Sequence, residues 1–403
     1  MQYTEQLLQK VLNFIKIVGL GGRGLSTRYL IKMYSQGQAV PKFLIKLILK
    51  PRSFTLPNAS SASIKNLHQL ERVFTEANGT EKWSSFATRG AKFDGNFLII
   101  LPTPSQFNHT RLSIAFETMR LLTNFGFKAS AIDFKDLGYL AKSGGGVLGA
   151  EWIIVDSEFS REEILMILEN LKKYYGRNSF KIAMVVYDLW RRRDIEIVKF
   201  ALPKVEIFLH MDEVSVHQHF SSSANKFLFW PITQVATSFQ EESESDRLPT
   251  LFFSGRLMSD RLYIANEVIK AIRKTRFSLD FYFSDAHSFP LQESTYRKKL
   301  KYSELSISFS QRRIDHWIIP GRSIEILLSG SLLLQQEGPE VSPLSQFLSP
   351  YEHYIPFSSL SELNTVIKLS SGHPEVVRRI AKRGRRKTQE LISNLVTNSP
   401  FAK

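Results

Sequence analysis

Apolar runs of strand length alternate with amphipathic segments along most of the chain from residue 96 onward. Strands are predicted in the first half at 97–101, 128–133, 152–155, 182–186 and 205–209. Between them, apolar residues recur at helical spacing over 111–124 and 161–175. Strands that alternate with helices of this length are typical of a parallel sheet that is covered by helices on both faces.

The alternation stops at a polar, acidic run, 241–246, and then restarts. Further strands are predicted at 250–253, 279–283, 305–309 and 331–334, with helices at 260–274, 322–329, 360–369 and 375–395. The acidic run contains no apolar residue, which is typical of an exposed linker between two domains. Binding of a metal ion by its carboxylates is the alternative.

The pattern predicts the α/β class, with two Rossmann-like doubly wound domains that face each other across a cleft. We place a basic N-terminal extension at 1–92, the first domain at 93–240, the linker at 241–248 and the second domain with its terminal helix at 249–403. Ligands of doubly wound sheets bind outside the carboxyl ends of the strands. We therefore expect the active site between the two domains.

The N-terminal extension lacks this alternation but contains one predicted helix with a basic face. Lys42, Lys46 and Lys50 recur every four residues between two prolines, so a helix carries them on one side and apolar side chains elsewhere. This form is typical of a short helix in an anionic membrane interface. A helix packed on the main body, with its lysines solvated, is the alternative. Residues 19–24 match the pattern G-x-G-x-x-G, but no predicted strand precedes them, so a dinucleotide site is not expected.

The composition is that of a globular chain with an uneven excess of basic residues. The 403 residues include 53 Lys and Arg against 38 Asp and Glu, a net charge of +15, and no cysteine. The lack of cysteine excludes disulfides, thiolate metal sites and a cysteine nucleophile. The positive charge is concentrated at 6–70 and 378–387. No uncharged apolar run approaches the length of about 20 residues that spans a bilayer. We therefore expect a cytoplasmic protein, with peripheral attachment to the inner face of the membrane through residues 41–52 as an open alternative.

The most informative segment is 320–334, where a Gly-Arg-Ser sequence opens a predicted helix and a glycine precedes an apolar strand. Three further segments supply a strand with a glycine turn, a strand-to-helix connection and a terminal helix, at 251–256, 355–363 and 373–385. Together they resemble the donor-binding half of GT-B glycosyltransferases, especially the spore-coat glycosyltransferase-like branch of the group 1, family 4-like enzymes. The resemblance covers residues 248–390. Over 93–240 only the general pattern of an acceptor domain is similar, and over 1–92 there is no resemblance.

The resemblance implies a glycosyltransferase of the hexosyltransferase type. Such an enzyme moves a sugar from a nucleotide-sugar donor to a glycan or a lipid-linked acceptor, in the synthesis of cell-surface polysaccharide or glycoconjugates. It also implies that neither a metal nor another cofactor takes part.

Residues at the start of the predicted helix 322–329 suit a nucleotide diphosphate. A departing diphosphate needs a metal ion or a set of cations and backbone amides, and the chain has no Asp-x-Asp sequence, the usual metal–diphosphate signature. Gly321 and Arg322 instead open a helix, whose free N–H groups attract anions. Glu325 lies about one turn further along, where its two oxygens can accept both hydroxyls of a ribose. The alternatives are a surface salt bridge for Arg322 and, for Glu325, a carboxylate that only complements the helix dipole.

Gly255, Arg256 and Arg261 are the other predicted donor-binding residues. A glycine lets the backbone approach a phosphate closely, and either arginine can complete the phosphate site. For both arginines, a surface salt bridge is again the alternative.

The predicted active site departs from the resembled family at one position. Many retaining GT-B enzymes carry a second glutamate eight residues before the position of Glu325, and this chain has Trp317 there. Asp315 and His316 are close enough in sequence to replace it. Inversion and retention at the anomeric carbon therefore both stay open.

An inverting enzyme needs a general base near the acceptor hydroxyl. His109, in the loop 102–110 after the first strand, and Asp188, after the strand 182–186, are the candidate catalytic residues. An exposed or helix-capping histidine and a strand-end cap are the respective alternatives.

Two other classes of function stay open. A catalytically silent GT-B-like binding protein is favoured by the tryptophan in place of a glutamate. A nucleic-acid-binding protein is favoured by the net charge and a pI near 9.7. However, the charge lies in two end segments and the chain has no recognised nucleic-acid module, so we expect no nucleic-acid partner.

Overall fold

The computed structural model describes most of the chain from residue 96 onward. The described residues are 96–101, 118–119, 121–134, 137, 150–175, 180–186, 188–231, 247–256, 259–284, 291, 293–313, 316–338 and 342–402. The predicted N-terminal extension with its basic helix, the loop that carries His109, and the acidic run 241–246 lie outside the described residues.

The first half forms a sheet in which all strand pairs are parallel. Its strands are β1 (Asn96–Leu101), β2 (Lys128–Asp133), β3 (Trp152–Asp156), β4 (Lys181–Val185), β5 (Ile207–His210) and β6 (Phe227–Phe229). Their order is β2-β1-β3-β4-β5-β6. All residues of β3 and β5 are buried, which explains why these strands read as unbroken apolar runs.

Helices cover this first lobe, which we define as residues 96–231. They include α1 (Arg161–Tyr175), α2 (Arg192–Ala201) and α3 (Glu213–Phe220). The observed bounds of α1 are those predicted from its apolar spacing. The sequence pattern did not predict α2 and α3, because three arginines precede the apolar residues of α2 and α3 has only eight residues.

The second half forms another all-parallel sheet. Its strands are β7 (Leu248–Arg256), β8 (Ser278–Ser284), β9 (Ser303–Ser308), β12 (Leu332–Gln336) and β13 (Ile355–Phe357). Their order is β13-β12-β9-β7-β8. A separate antiparallel pair, β10 (Gln311–Arg313) with β11 (His316–Trp317), lies outside this sheet and precedes the central helix of the lobe.

In the described part of this second lobe, residues 247–397, three α-helices lie between strands and two follow the last strand. They are α4 (Ser259–Ile272), α5 (Glu293–Tyr302), α6 (Gly321–Ser329), α7 (Leu360–Gly372) and α8 (Pro374–Thr397). Helix α6 ends at Gly330, whose φ of 77° closes the helix in the left-handed conformation. The predicted α/β class with two doubly wound halves is confirmed. Both sheets have the same topology, since the second strand pairs on one side of the first and the third on the other.

The two lobes share one apolar core, and the end of the chain contributes to it. Helix α8 is followed by a short turn that places Phe401 against rings of the first lobe. Its ring centroid lies 5.4 Å from that of Phe97, 4.9 Å from that of Trp152 and 5.7 Å from that of Trp230. The terminal segment, predicted as part of the second domain, therefore packs on both. Within the described part of the chain, no helix combines the length and the apolar character needed to cross a membrane.

Candidate functional site

The candidate donor site lies where the strand order of the second sheet reverses. Strand β7 pairs with β8 on one side and with β9 on the other. Its last residues are Gly255 and Arg256, at the carboxyl edge of the sheet. Helix α6 follows the β10–β11 hairpin and leads back into β12, so it begins at the same edge. A crevice at such a reversal is the usual ligand position in open parallel sheets.

Two arginine side chains converge above Gly255. A Cβ atom built on this glycine would lie 2.9 Å from Nη1 of Arg322 and 3.2 Å from Nη1 of Arg261. Any larger residue at 255 must displace these guanidinium groups. The glycine therefore admits two cations from different helices to one point beside the strand end.

Aromatic rings lie close to the guanidinium groups of both arginines. The Cζ atom of Arg322 lies 5.5 Å from the ring centroid of Phe253, and that of Arg261 lies 5.9 Å from the same centroid. Arg261 is also 5.6 Å from the ring of Phe309. The negative faces of the rings attract the guanidinium groups. Each guanidinium group presents several N–H donors, so two of them at one point can contact the same anion.

A buried tyrosine connects Arg322 to Glu325. The hydroxyl of Tyr296 donates to Oε2 of Glu325 at 2.5 Å, and Nε of Arg322 donates to the same hydroxyl at 3.4 Å. Both Tyr296 and Glu325 are more than nine-tenths buried. Burial, followed by the nearby carboxylate of Glu325, raises the pKa of Tyr296 well above its ordinary value, so the phenol stays a donor. The carboxylate predicted to bind a ribose is thus held in one orientation.

The start of α6 is fixed to two strand ends by a buried chain of polar side chains. The hydroxyl of Ser323 lies 2.9 Å from that of Ser308, which ends β9, and donates to Oε1 of Gln335 in β12 at 2.6 Å. Pro320 occupies the N-cap position and supplies no side-chain cap. The first N–H groups of α6, at Gly321 and Arg322, have no partner within the helix and are available to an anion.

Five of the six predicted donor-binding residues meet in this cluster or adjoin it. Gly255, Arg261 and Arg322 are in contact, Glu325 joins them through Tyr296, and Gly321 begins α6. Arg256 is the last residue of β7, and its side chain lies outside the described atoms. Tyr296 was missed by the sequence reasoning, since the basic residues around it obscured α5. Its one signal was helical spacing, with Leu300 four positions later on the same buried face.

The two candidate catalytic residues are not part of this cluster. His109 lies outside the described residues. Asp188 follows β4 at the carboxyl edge of the first sheet. Its Oδ2 is 2.6 Å from Nη2 of Arg191, and its Oδ1 accepts from Nε1 of Trp190 at 3.1 Å. Asp188 is therefore an ion-paired, half-buried carboxylate at the carboxyl edge of the first sheet.

A second buried carboxylate lies beside Asp188. Asp194, in the first turn of α2, is 2% exposed, and its Oδ2 has no hydrogen-bond partner among the described atoms. Burial, followed by the charges of Glu158 and Asp188, raises the pKa of Asp194 to about 6. The carboxyl group of Asp194 is therefore mostly protonated at pH values below its pKa of about 6.

The position expected to hold a second glutamate carries an indole with a packing role. Trp317 is 9% exposed, and a Cβ atom on Gly338 would lie 2.9 Å from its Cε2. Its neighbour His316 contacts Asp212 of the first lobe, with Nε2 3.2 Å from Oδ2. Asp315 lies outside the described residues. Among the residues that the structure describes, no group of three or more His, Cys, Asp or Glu could hold a metal ion.

Residues 264–393 match a protein-family model described as "Glycosyl transferase-like". The matched range contains Tyr296, Arg322 and Glu325 and begins after Gly255 and Arg261. Among curated proteins, no sequence matches the chain.

Solved structures of similar fold include glycosyltransferases. One is an alpha-glucosyltransferase in complex with UDP and a 13-mer DNA, at 10% identity and a TM-score of 0.46, over 75% of this chain and 100% of that one. AviGT4, a glycosyltransferase involved in Avilamycin A biosynthesis, is 9% identical at a TM-score of 0.46, over 75% and 97%. TarM is 10% identical at a TM-score of 0.43, over 65% and 57%. At these values the likeness transfers neither residue roles nor substrates. The match to the glycosyltransferase-like family model thus covers residues 264–393, which make up most of the second lobe.

Proposed function

We propose that the chain is a glycosyltransferase that uses a nucleotide sugar as its donor. The observation that carries this proposal is the convergence of Arg261 and Arg322 over Gly255, at the open end of α6. A diphosphate fits this arrangement because its oxygens can accept from both guanidinium groups and from the first N–H groups of the helix. Within the matched segment, Arg322, Tyr296 and Glu325 form one connected set, which supports a shared role in donor binding.

The chemistry of the proposed site is electrostatic. Breaking the bond between sugar and diphosphate leaves negative charge on the departing phosphate oxygen. Fixed guanidinium groups and helix N–H groups stabilise that charge without having to reorganise. In this proposal Glu325 accepts the ribose hydroxyls, and Arg256 adds a further cation at the end of β7. The site needs no metal, because two arginines supply positive charge where a metal would lie.

We further propose a glycan or lipid-linked acceptor, in the synthesis of cell-surface polysaccharide or glycoconjugates. The basic segment 41–52 supports contact with an anionic membrane surface at the inner face. Asp188 and His109 are the proposed bases for the acceptor hydroxyl, since each follows a strand of the first sheet in the sequence. Nucleic acid is not the proposed acceptor.

A catalytically silent binding protein is the second candidate. Trp317 favours it, because a buried indole replaces the glutamate that many retaining relatives of the resembled family carry. The two candidates share donor binding and differ in turnover. Release of nucleoside diphosphate therefore separates them.

Arginine 322 gives the sharpest test of the donor site. We expect a panel of UDP-, GDP-, dTDP- and CMP-sugars in a thermal-shift measurement to identify one donor that stabilises the protein. Arg322→Ala should raise the Kd of that donor about 10- to 100-fold, since a charge-assisted hydrogen bond contributes about 1.5–3 kcal/mol. Arg378→Ala removes the same charge from the exposed face of α8 and should leave the Kd within twofold.

Turnover is measured as release of nucleoside diphosphate from the identified donor. Donor binding with no release would favour the silent binding protein. A protein that binds no donor in the panel, and binds DNA or RNA tightly with strong salt dependence, would contradict the proposed function. Equal loss of donor affinity in the Arg322 and Arg378 variants would contradict the assignment of Arg322 to the phosphate site.

A further inference from the structure

A buried polar junction joins the two lobes near the start of α6. Asp212 and Ser215 belong to the first lobe, and His316 belongs to the second. Nε2 of His316 lies 3.2 Å from Oδ2 of Asp212 and 3.5 Å from Oγ of Ser215. The exposed fractions are 2%, 0% and 5% for Asp212, Ser215 and His316. His316 thus directly contacts two polar side chains that lie 104 and 101 positions earlier in the sequence.

The side chain of Asp212 is held in place by hydrogen bonds within the first lobe. Asp212 is the N-cap of α3, and its Oδ1 accepts from the backbone N–H of Ser215 at 3.0 Å. Its Oδ2 accepts from the hydroxyl of Ser215 at 2.7 Å, and its own N–H donates to Nδ1 of His210 at 3.2 Å. A helix cap needs only the first of these bonds. Oδ2 can accept a further hydrogen bond, and it lies next to Nε2 of His316 in the second lobe.

The second lobe presents His316 on an element that is not part of its main sheet. Strands β10 and β11 pair only with each other among the described strands. The backbone N–H of Ile318 donates to the carbonyl of Ser310, which ties the hairpin to the end of β9. Gly321, where α6 begins, follows His316 by five positions. A shift of the imidazole therefore reaches the open end of α6 and Arg322 along a very short path.

The junction is directional, unlike the aromatic contacts between the lobes in the described part of the chain. Phe229 of the first lobe stacks on Phe347 of the second with centroids 4.0 Å apart, and Phe401 packs among rings of the first lobe. Apolar surfaces of this kind tolerate sliding, because the hydrophobic effect does not depend on direction. A buried carboxylate that loses one of its partners is destabilised, so the Asp212–His316 contact favours one relative placement of the lobes.

We infer that Asp212 and His316 are positioning residues, whose contact sets the start of α6 in register with the acceptor edge of the first lobe for sugar transfer. Neither residue is one of the proposed donor-binding residues. The pair acts through the hairpin on Arg322, and Ser215 holds Asp212 in place. The expected effect on kcat rests on the proposed function. The expected effect on the contact between the lobes rests on the geometry alone.

The catalytic consequence is a split between donor binding and turnover. Asp212→Asn keeps a good N-cap and removes the charge, and His316→Gln keeps a polar side chain of similar length. Both should lower kcat about tenfold or more, since misplacing reacting groups by about 1 Å costs on the order of 100-fold. The Kd of the donor, measured by titration, should change by less than threefold. The double variant should lose little more than either single one, because both remove the same contact.

A matched control is a histidine whose bond stays within one lobe. Nδ1 of His353 accepts from the backbone N–H of Ser349 at 2.9 Å, and both belong to the second lobe. His353→Gln should therefore leave kcat within twofold. If Asp212→Asn and His316→Gln turn over like the wild type, or like His353→Gln, the positioning role is wrong.

Hydrogen exchange tests the junction without any turnover. Asp212→Asn, in the first lobe, should raise the amide exchange of residues 316–320, in the second lobe, while exchange in α8 stays unchanged. Unchanged exchange at 316–320 would overturn the inference whether or not the protein is an enzyme. A wild type that turns over no donor but shows this change across the lobes would refute the proposed function and retain the junction.

Discussion

At the scale of single residues, Tyr296 fixes the orientation of the carboxylate of Glu325. The sequence alone indicates only an acidic residue one turn into a helix, which fits both ribose binding and a favourable dipole. Burial of both side chains and the bond between them show that Glu325 is held towards the inside of the second lobe. The oxygen of the same phenol accepts a hydrogen bond from Nε of Arg322, so Tyr296 orients both the carboxylate of Glu325 and the guanidinium group of Arg322.

Removing that hydroxyl should destabilise the protein through the acid that it satisfies. In Tyr296→Phe, the buried carboxylate of Glu325 loses a donor, and the free energy of unfolding should fall by about 1–3 kcal/mol in urea denaturation. Adding Glu325→Gln should recover part of this loss, since a neutral amide is less costly to bury than a charge. Tyr302→Phe, on the same helix but only half-buried, should change stability by less than about 0.5 kcal/mol. Equal losses for the two tyrosines would show that the Tyr296–Glu325 bond contributes nothing.

At the scale of secondary-structure elements, helix α8 shows how a glycine fixes a packing distance. Gly384 is buried in the middle of this helix of 24 residues. A Cβ atom there would lie 2.1 Å from the carbonyl oxygen of His353, in the turn that precedes β13. The helix and the turn are therefore closer than any other residue permits. The sequence alone gives no reason for a glycine in the middle of a long helix, and the packing of α8 on this turn explains it.

Gly384→Ala should destabilise the protein although alanine favours helices. The gain in helix propensity is about 1 kcal/mol, whereas the clash involves a backbone atom and forces helix and turn apart, at a typical cost of about 1–3 kcal/mol and here at the upper end. We expect a net loss of about 1–2 kcal/mol, measured by urea denaturation. Gly372→Ala is the matched control, because no atom lies within 4 Å of its Cβ position. A variant at 384 that is as stable as the variant at 372 would contradict this account.

At the scale of the whole molecule, the end of the chain connects the lobes. Phe401 is 4% exposed and contacts three aromatic residues of the first lobe, although it follows the last helix of the second. Burial of this one ring therefore stabilises both lobes together. It also leaves the lobes with a fixed apolar contact at one end and the directional Asp212–His316 contact at another.

Truncating this ring should be costly. Phe401→Ala should lower the free energy of unfolding by about 3–5 kcal/mol, as is typical for a buried phenylalanine. The loss should appear in the unfolding of the first lobe, followed by its tryptophan fluorescence, because Trp152 and Trp230 lie against the ring. Met166→Ala, an exposed apolar side chain on α1, should change stability by less than about 0.5 kcal/mol. A Phe401 variant with wild-type unfolding would show that the terminal segment does not bind the first lobe.

The sequence analysis was most accurate for elements with a strong periodic pattern. The bounds of α1 and β2 were predicted as observed, and the start of α6 was predicted within one residue. Strands buried on both faces are apolar at nearly every position, which makes them readable without a structure. Helices α2 and α5 were missed because charged residues fill their exposed faces and leave too few apolar positions to reveal the period.

The α/β class and the two repeated halves follow from the amino-acid sequence alone, because hydrophobic periodicity is a local property that each segment carries within itself. The convergence of Arg261 and Arg322, the bond from Tyr296 to Glu325 and the contact of Asp212 with His316 came only from the tertiary structure. Each joins residues from separate elements, and their distances depend on how those elements pack. No local pattern encodes a packing distance, so the composition of the site became visible only in the folded chain.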